Sequence, residues 1–212
     1  MKKLLLSLIA VSALAFTTQA QTEKGKFMLG GNVEFDSNKP NGASKSNTIF
    51  NIVPSVGYFV TDNFAIGTGV GYESAKNHVD ATTVNGVNIG GSTTKNQAFV
   101  VAPFARYYKG ITEQFKFFGQ LSVPMAFGNT KVGDVDGNNY AKVSKYNNVG
   151  VALSPGFAFF PSKKFGIEFS VQGISYNDNT LKNNNGDKIG GNKDFNIGAN
   201  FFAPKLGVQF YL

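Results

Sequence analysis

Apolar and polar residues alternate with a period of two along most of this chain, the signature of half-buried β-strands. Eight segments carry the pattern: Phe27–Asp36, Phe50–Tyr58, Phe64–Glu73, Phe99–Tyr108, Lys116–Phe127, Val151–Phe159, Phe165–Gln172 and Phe195–Leu212. In the second, Phe50, Ile52, Pro54, Val56 and Tyr58 share one face. In the seventh, Phe165, Ile167, Phe169 and Val171 do so. The last segment changes phase, which predicts a bulge near Phe201-Phe202. Composition agrees: 25 Gly, 23 Asn and 21 Phe favour turns and strands over helical bundles.

The chain opens on Lys2 and Lys3, then a mostly apolar run from Leu4 to Phe16, then Thr17-Thr18-Gln19-Ala20. This is the layout of a secretory signal, with cleavage expected after Ala20. A retained helical span needs roughly 20 apolar residues, more than this run offers. Residues 1–20 are thus read as a signal peptide and 21–212 as one domain outside the cytoplasm. Without the two leader lysines, 18 Lys/Arg stand against 13 Asp/Glu, a net charge of +5. That modest excess, with export, argues against nucleic-acid binding. The absence of Cys removes disulfides and thiolate chemistry, and a single histidine, His78, removes His-rich metal centres.

Connections alternate in length. Val60–Asn63, Lys109–Gln114 and Pro161–Lys164 are short; Ser37–Asn47, Ser74–Asn96, Gly128–Asn148 and Ser175–Asp194 are long and rich in Asn, Gly and Lys. Four long loops then fall at one end of the sheet and three short turns at the other. Aromatics bracket four strands at eight-residue spacing: Phe27/Phe35, Phe50/Tyr58, Phe64/Tyr72 and Phe99/Tyr107. Eight steps cover about 26 Å, or about 20 Å of height at a tilt of about 40°. A transmembrane barrel carries an apolar band about 25 Å tall between two aromatic girdles. The expected fold is therefore all-β: an eight-stranded antiparallel transmembrane β-barrel with its apolar face toward lipid.

The opposite face holds glycines and charge. Glu34, Glu73, Arg106, Lys116, Glu168 and Lys205 are expected to form a polar network in the lumen, Arg106 pairing with Glu168, Glu34 or Glu73. An eight-stranded barrel leaves room only for side chains inside, and charges buried there need partners. Pro54, Pro103, Pro124, Pro155 and Pro204 fall within strands although a closed barrel has no edge, which predicts bulges near the short-turn rim.

The segment Phe50-Asn51-Ile52-Val53-Pro54-Ser55-Val56-Gly57-Tyr58-Phe59-Val60-Thr61-Asp62-Asn63-Phe64-Ala65-Ile66-Gly67 resembles the short-turn hairpin of small outer-membrane β-barrels of the OmpA/OmpX-like type, in their Bacteroidetes form. The resemblance covers the mature chain. It implies residence in the cell outer membrane, delivery by the barrel assembly machinery, a monomer, and a structural or surface-interaction role such as envelope integrity or adhesion. The chain departs from the family in ending on Leu212 rather than Phe or Trp. No cofactor and no enzymatic activity are implied. A narrow porin or conduit for small molecules is the leading alternative, and a secreted lipocalin-like carrier the second.

Three further features have both a functional and a plain reading. Asp134-Val135-Asp136-Gly137-Asn138 begins like a calcium loop, but Asn139 and Lys145 stand where Gly and Glu belong. His78 lies near Asp80, Ser74 and Ser92, yet a general base must reach its nucleophile in space. Lys39, Lys45, Lys76, Lys95, Lys131, Lys142, Lys145, Lys182, Lys188 and Lys193 offer point charges to lipopolysaccharide phosphates, or simply a solvated surface.

Overall fold

The computed structural model describes residues 21–198 and 205–212. The signal-peptide expectation, the Phe201-Phe202 bulge and Pro204 lie outside the described residues. Hydrogen bonding divides the chain into β1 (Phe27–Asn38), β2 (Asn47–Thr61), β3 (Phe64–Val79), β4 (Thr82–Val84), β5 (Val87–Ile89), β6 (Ser92–Gly110), β7 (Phe115–Ser122), β8 (Met125–Gly133), β9 (Ala141–Ser162), β10 (Phe165–Ser170), β11 (Ile174–Lys182), β12 (Lys188–Ile197) and β13 (Lys205–Tyr211). Eleven of these runs build an antiparallel barrel of eight strands: β1, β2, β3, β6, β7 with β8, β9, β10 with β11, and β12 with β13. The short pair β4–β5 forms a separate hairpin within one loop. Closure comes where β1 meets β13, through Met28↔Tyr211 and Leu29↔Phe210. Phe27 and Leu212 exchange backbone hydrogen bonds of 2.9 Å beside them.

The apolar face points outward. Phe50, Val70 and Leu121 are exposed on the barrel exterior at 41%, 41% and 48%. Aromatics meet across strands at two heights. Phe35↔Phe50 and Tyr72↔Phe99↔Phe127 mark the rim toward the long loops. Phe27–Tyr58, Phe115–Phe159 and Phe165–Phe210, with ring centroids 5.1, 4.7 and 5.7 Å apart, mark the other.

The strands run well past the loop-end rim, so the true connections are shorter than the sequence suggests. β3 continues to Val79 and β6 begins at Ser92; β8 reaches Gly133, β11 reaches Lys182, and β12 starts at Lys188. Beyond the apolar band both faces of a strand meet polar surroundings, and the hydrophobic alternation that marks a strand in sequence disappears.

The prolines lie at mid-wall rather than at the short-turn rim. Pro54 stands opposite Gly31 and Pro103 opposite Thr68, each between the two aromatic levels. Lacking an N–H, each proline interrupts the ladder, yet its carbonyl still accepts: Val123 N bonds Pro103 O at 2.9 Å and Gly150 N bonds Pro124 O at 2.8 Å. The register is unchanged across Val123-Pro124, since Ser122↔Ala152 and Met125↔Val149 belong to one ladder. Opposite Pro155 there is a true bulge. Phe169↔Phe157 gives way to Ile174↔Leu153, one residue out of step. The extra residue turns Val171 inward, where it is buried, instead of leaving it beside Phe169 on the exterior. From there the outward phase passes to Ile174 and Tyr176, both exposed.

Candidate functional site

The short-turn half of the lumen is filled by side chains that lie out of phase with the apolar exterior. Met28, Phe59, Tyr108, Phe118, Phe160 and Tyr211, with Ala65 and Ala158, form one buried cluster. Phe59, Tyr108 and Phe160 each lie close to a short turn. Their place just inside the polar turns suits an aromatic rim, yet they point inward. A strand places successive side chains on opposite faces, so Tyr58 and Tyr107 take the rim and Phe59 and Tyr108 the centre. The signal was present as a second, minor stripe, obscured because both neighbours are aromatic.

Arg106 sits on this floor. Its guanidinium Nη1 donates to Glu168 Oε1 at 2.6 Å and to Tyr108 OH at 2.8 Å, and Nε donates to Gln120 Oε1 at 2.8 Å. Its Cζ lies 4.4 Å from the centroid of the Phe118 ring. Tyr108 OH and Tyr211 OH both donate to Glu168 Oε1 at 3.1 Å. A buried charge pair holds when remaining lone pairs and protons also find partners, and here Arg106 Nε and Nη1 and Glu168 Oε1 do so.

The six lumen residues named from sequence do not form a single network. Lys116 belongs to a separate group at the short-turn mouth, where Nζ donates to Thr22 Oγ1 at 2.5 Å and Asn63 Oδ1 at 3.2 Å. The N-terminal stretch folds over this mouth: Asn63 N bonds Thr22 O at 2.7 Å, and Thr22 is fully buried. Glu34 lies higher and accepts from Asn51 Nδ2 at 2.8 Å. Glu73 and Lys205 line the upper lumen, and neither makes an ion pair among the described residues. Above the floor the lumen opens into a polar cavity of about 390 Å³, bounded by Arg106, Gln120, Ser154, Ser170, Asn177 and Lys205.

The loops are joined by specific polar contacts. His78 meets neither Ser74 nor Ser92. Its Nε2 faces both Ser44 Oγ and Asp80 Oδ1 at 2.9 Å, and its Nδ1 faces Thr93 Oγ1 at 3.1 Å. Ser44 Oγ also donates to Asp80 Oδ1, and Ser44 N to Asp80 Oδ2 at 2.9 Å. These bonds from the Ser44 hydroxyl and amide, with one from His78, pull the Asp80 carboxyl down to about 2. Ser44 comes from a distant loop and is not visible as a partner in sequence. In the calcium-like loop, Asp134 Oδ1 accepts from Asn138 N at 2.7 Å and Oδ2 from Asn139 Nδ2 at 3.0 Å. The Asn138 amide heads the causes that hold the Asp134 carboxyl below its ordinary range. Lys45 Nζ sits on Asp136 Oδ1 at 3.1 Å and Val135 O at 3.2 Å, an ammonium on two of the oxygens a cation would need. Among the described residues no group of three or more His, Asp and Glu is placed to hold a metal.

A family model described as outer membrane protein beta-barrel domain matches residues 5–201. No curated protein matches the chain by sequence. Similar solved structures include Neisserial surface protein A, at 14% identity over 89% of this chain and 97% of that one, with a TM-score of 0.41. OprG from Pseudomonas aeruginosa matches at 16% identity over 92% and 99%, with a TM-score of 0.42. Ail, the attachment invasion locus protein of Yersinia pestis, solved with the heparin analogue sucrose octasulfate, matches at 14% identity over 89% and 99%, with a TM-score of 0.37. With apolar side chains outward, polar ones inside, and a family model spanning most of its length, this chain belongs to the outer-membrane β-barrel domain family.

Proposed function

We propose that this outer-membrane barrel is a closed structural scaffold that carries polar loops at the cell surface for contact with a partner, and that it does not conduct. The observation that carries this reading is the Arg106–Glu168 pair, roofing an aromatic floor with Tyr108 and Tyr211. A lumen filled in this way resists the passage of solute, and rigid loops suit contact. Lys45–Asp136 and Ser44–Asp80 tie neighbouring loops into one surface. The chain acts as a monomer, reaches the membrane through the barrel assembly machinery, and loses residues 1–20 on export. Planar-bilayer recording of the purified protein tests this: the expected trace is flat, and reproducible single-channel steps would refute it.

The cluster around His78 serves as a loop clasp, without hydrolytic chemistry. Ser44 and Asp80 approach the same ring nitrogen, whereas a catalytic triad places nucleophile and acid on opposite ones. Loss of an esterase or lipase activity on His78→Ala would overturn that.

A second reading, a lateral conduit, is favoured by one observation. Among the described residues the seam between first and last strands is zipped only from Phe27 to Leu29. Gly31 takes φ +148° just above, where the strands part. An apolar groove lies there, lined by Leu29, Val33, Ile52, Ile167, Leu206 and Phe210. Uptake of a small apolar dye that stops when Asn32→Cys and Gly207→Cys are joined by a disulfide would favour the conduit.

A further inference from the structure

Lysines stand directly opposite one another across adjacent strands on the outer face of the barrel. Lys76 pairs with Lys95, Lys95 with Lys131, and Lys131 with Lys142, a row crossing β3, β6, β8 and β9. Just below, Lys145 pairs with Lys182 on β11. The register fixes their face. Tyr72, Phe99 and Phe127 are outward, and Lys76, Lys95 and Lys131 follow each of them by four residues along the strand, an even step.

Like charges directly opposite in an antiparallel pair are destabilising in water. Here the same conflict is repeated across four neighbouring strands. Among the described residues none of the six lysines makes an ion pair, whereas Lys45 and Lys193 have Asp136 and Asp178. Of the other cross-strand neighbours, Thr48 and Asn129 are neutral, and Lys188, opposite Lys182, is a further cation. The row is therefore complete only with an anion from outside the chain.

Height identifies the source. Four residues above the aromatic row is about 13 Å of strand, or about 10 Å of rise at a tilt of about 40°; Lys145 and Lys182 lie about half as high. The headgroup layer extends about 5–8 Å beyond the hydrocarbon on each side. Lysine stems lie along the wall and carry the ammonium to that level. Below Lys182 an exterior groove between β9 and β11 is lined by Asn147, Val149, Val151, Tyr176, Thr180 and Asp178, the last paired with Lys193. The upper part of this furrow is polar and its lower part, at Val149, Val151 and Tyr176, is apolar, so cationic heads stand above a surface that matches a lipid with phosphate at the top and acyl chain beneath.

We infer that this lysine arc is a docking surface for the phosphorylated glycolipid of the outer leaflet, with one phosphate bridging Lys145 and Lys182 and others along Lys76–Lys142. The inference rests on the reading of the chain as an outer-membrane barrel, and the test separates the two. The full mature chain is inserted into phosphatidylcholine vesicles, and heat-modifiable gel mobility reports insertion. Binding of fluorescent lipopolysaccharide is then titrated, alongside the same lipopolysaccharide stripped of phosphate. Absence of a heat-modifiable band would defeat the barrel reading itself. With insertion intact, Lys145→Gln/Lys182→Gln weakens binding at least tenfold, and Lys145→Arg/Lys182→Arg retains it. Dephosphorylated lipopolysaccharide binds at least tenfold more weakly to the unaltered chain. Lys163→Gln/Lys164→Gln, at the short-turn end, changes nothing. Equal binding by the Gln variant, equal binding of the stripped lipid, or equal loss in the short-turn control would each overturn the proposal.

Discussion

Gly71 lies against the carbonyl of Ile52 so closely that a Cβ on it would stand 2.1 Å from that oxygen and 2.6 Å from Val53 Cα. Both obstacles are backbone and cannot swing aside. They sit beside Pro54, where the β2–β3 ladder is interrupted. Gly71→Ala should therefore destabilise the folded barrel by about 1–3 kcal/mol through forced backbone displacement. At Gly119 an added Cβ meets nothing within 4 Å, so Gly119→Ala should change stability by less than about 0.5 kcal/mol. Urea titration of heat-modifiable mobility in vesicles measures both, and equal midpoints would contradict the close approach.

Arg106 and Glu168 are each less than a tenth exposed. Removing either alone leaves an uncompensated buried charge, at a cost of about 3–5 kcal/mol. Arg106→Met and Glu168→Met should each destabilise by that order. The double variant should fall well short of the sum of the two. Additive losses in the same urea assay would mean that the pair is not coupled.

Val101 pairs with Val70 on the lipid face, midway between Phe99 and Pro103. Val101 lies one outward step inside the Phe99 rim, so Val101→Arg should impair assembly by about 1–2 kcal/mol, between the rim and midplane costs of a cation. Gln120 makes a poor comparison, since it accepts from Arg106 and an arginine there would oppose it. Gln172, which bonds Ser175 and borders the polar cavity, is the better control. Gln172→Lys should cost less than about 1 kcal/mol, because that side chain keeps access to water. Comparable folded yields for the two variants would reverse the assignment of faces.

The Asp80 carboxyl is held at about 2 in the fold, against 3.8 ordinarily, by the Ser44 hydroxyl, the Ser44 amide and His78. A depressed folded value means the contribution is fully present above the unfolded value near 3.8 and is lost as pH falls through about 2. The Ser44 amide signal in an NMR titration should accordingly move with a midpoint far below 3.8, and not at all in Asp80→Asn. A midpoint at the ordinary aspartate value would mean that the clasp is not formed.

What could be read from sequence follows the solvent. Phe50, Val70 and Leu121 face hydrocarbon and their neighbours do not, so the strands and their outward side are legible wherever lipid is present. Past the rim, Thr93, Lys95 and Asn129 continue the same strands with polar groups on both faces, and the alternation has nothing to report. The Val171–Gly173 bulge was hidden because Val171 continues the apolar phase that the backbone abandons. Ser44 and His78 are 34 residues apart, and Tyr108 and Tyr211 are 103 apart. Such pairings come from closure of the sheet, which no local pattern encodes. Arg106 and Glu168 were legible for the opposite reason: each is a lone charge on a face that turns inward.

The aromatic floor makes the molecule a beaker rather than a tube. In the proposed closed scaffold, water entering from the loop end descends through the cavity beside Ser154 and Lys205 and stops at Tyr108 and Tyr211. The two mouths of such a scaffold belong to separate compartments, and a thiol reagent added at the loop end should label a cysteine at Ser154 while leaving one at Ala65 untouched.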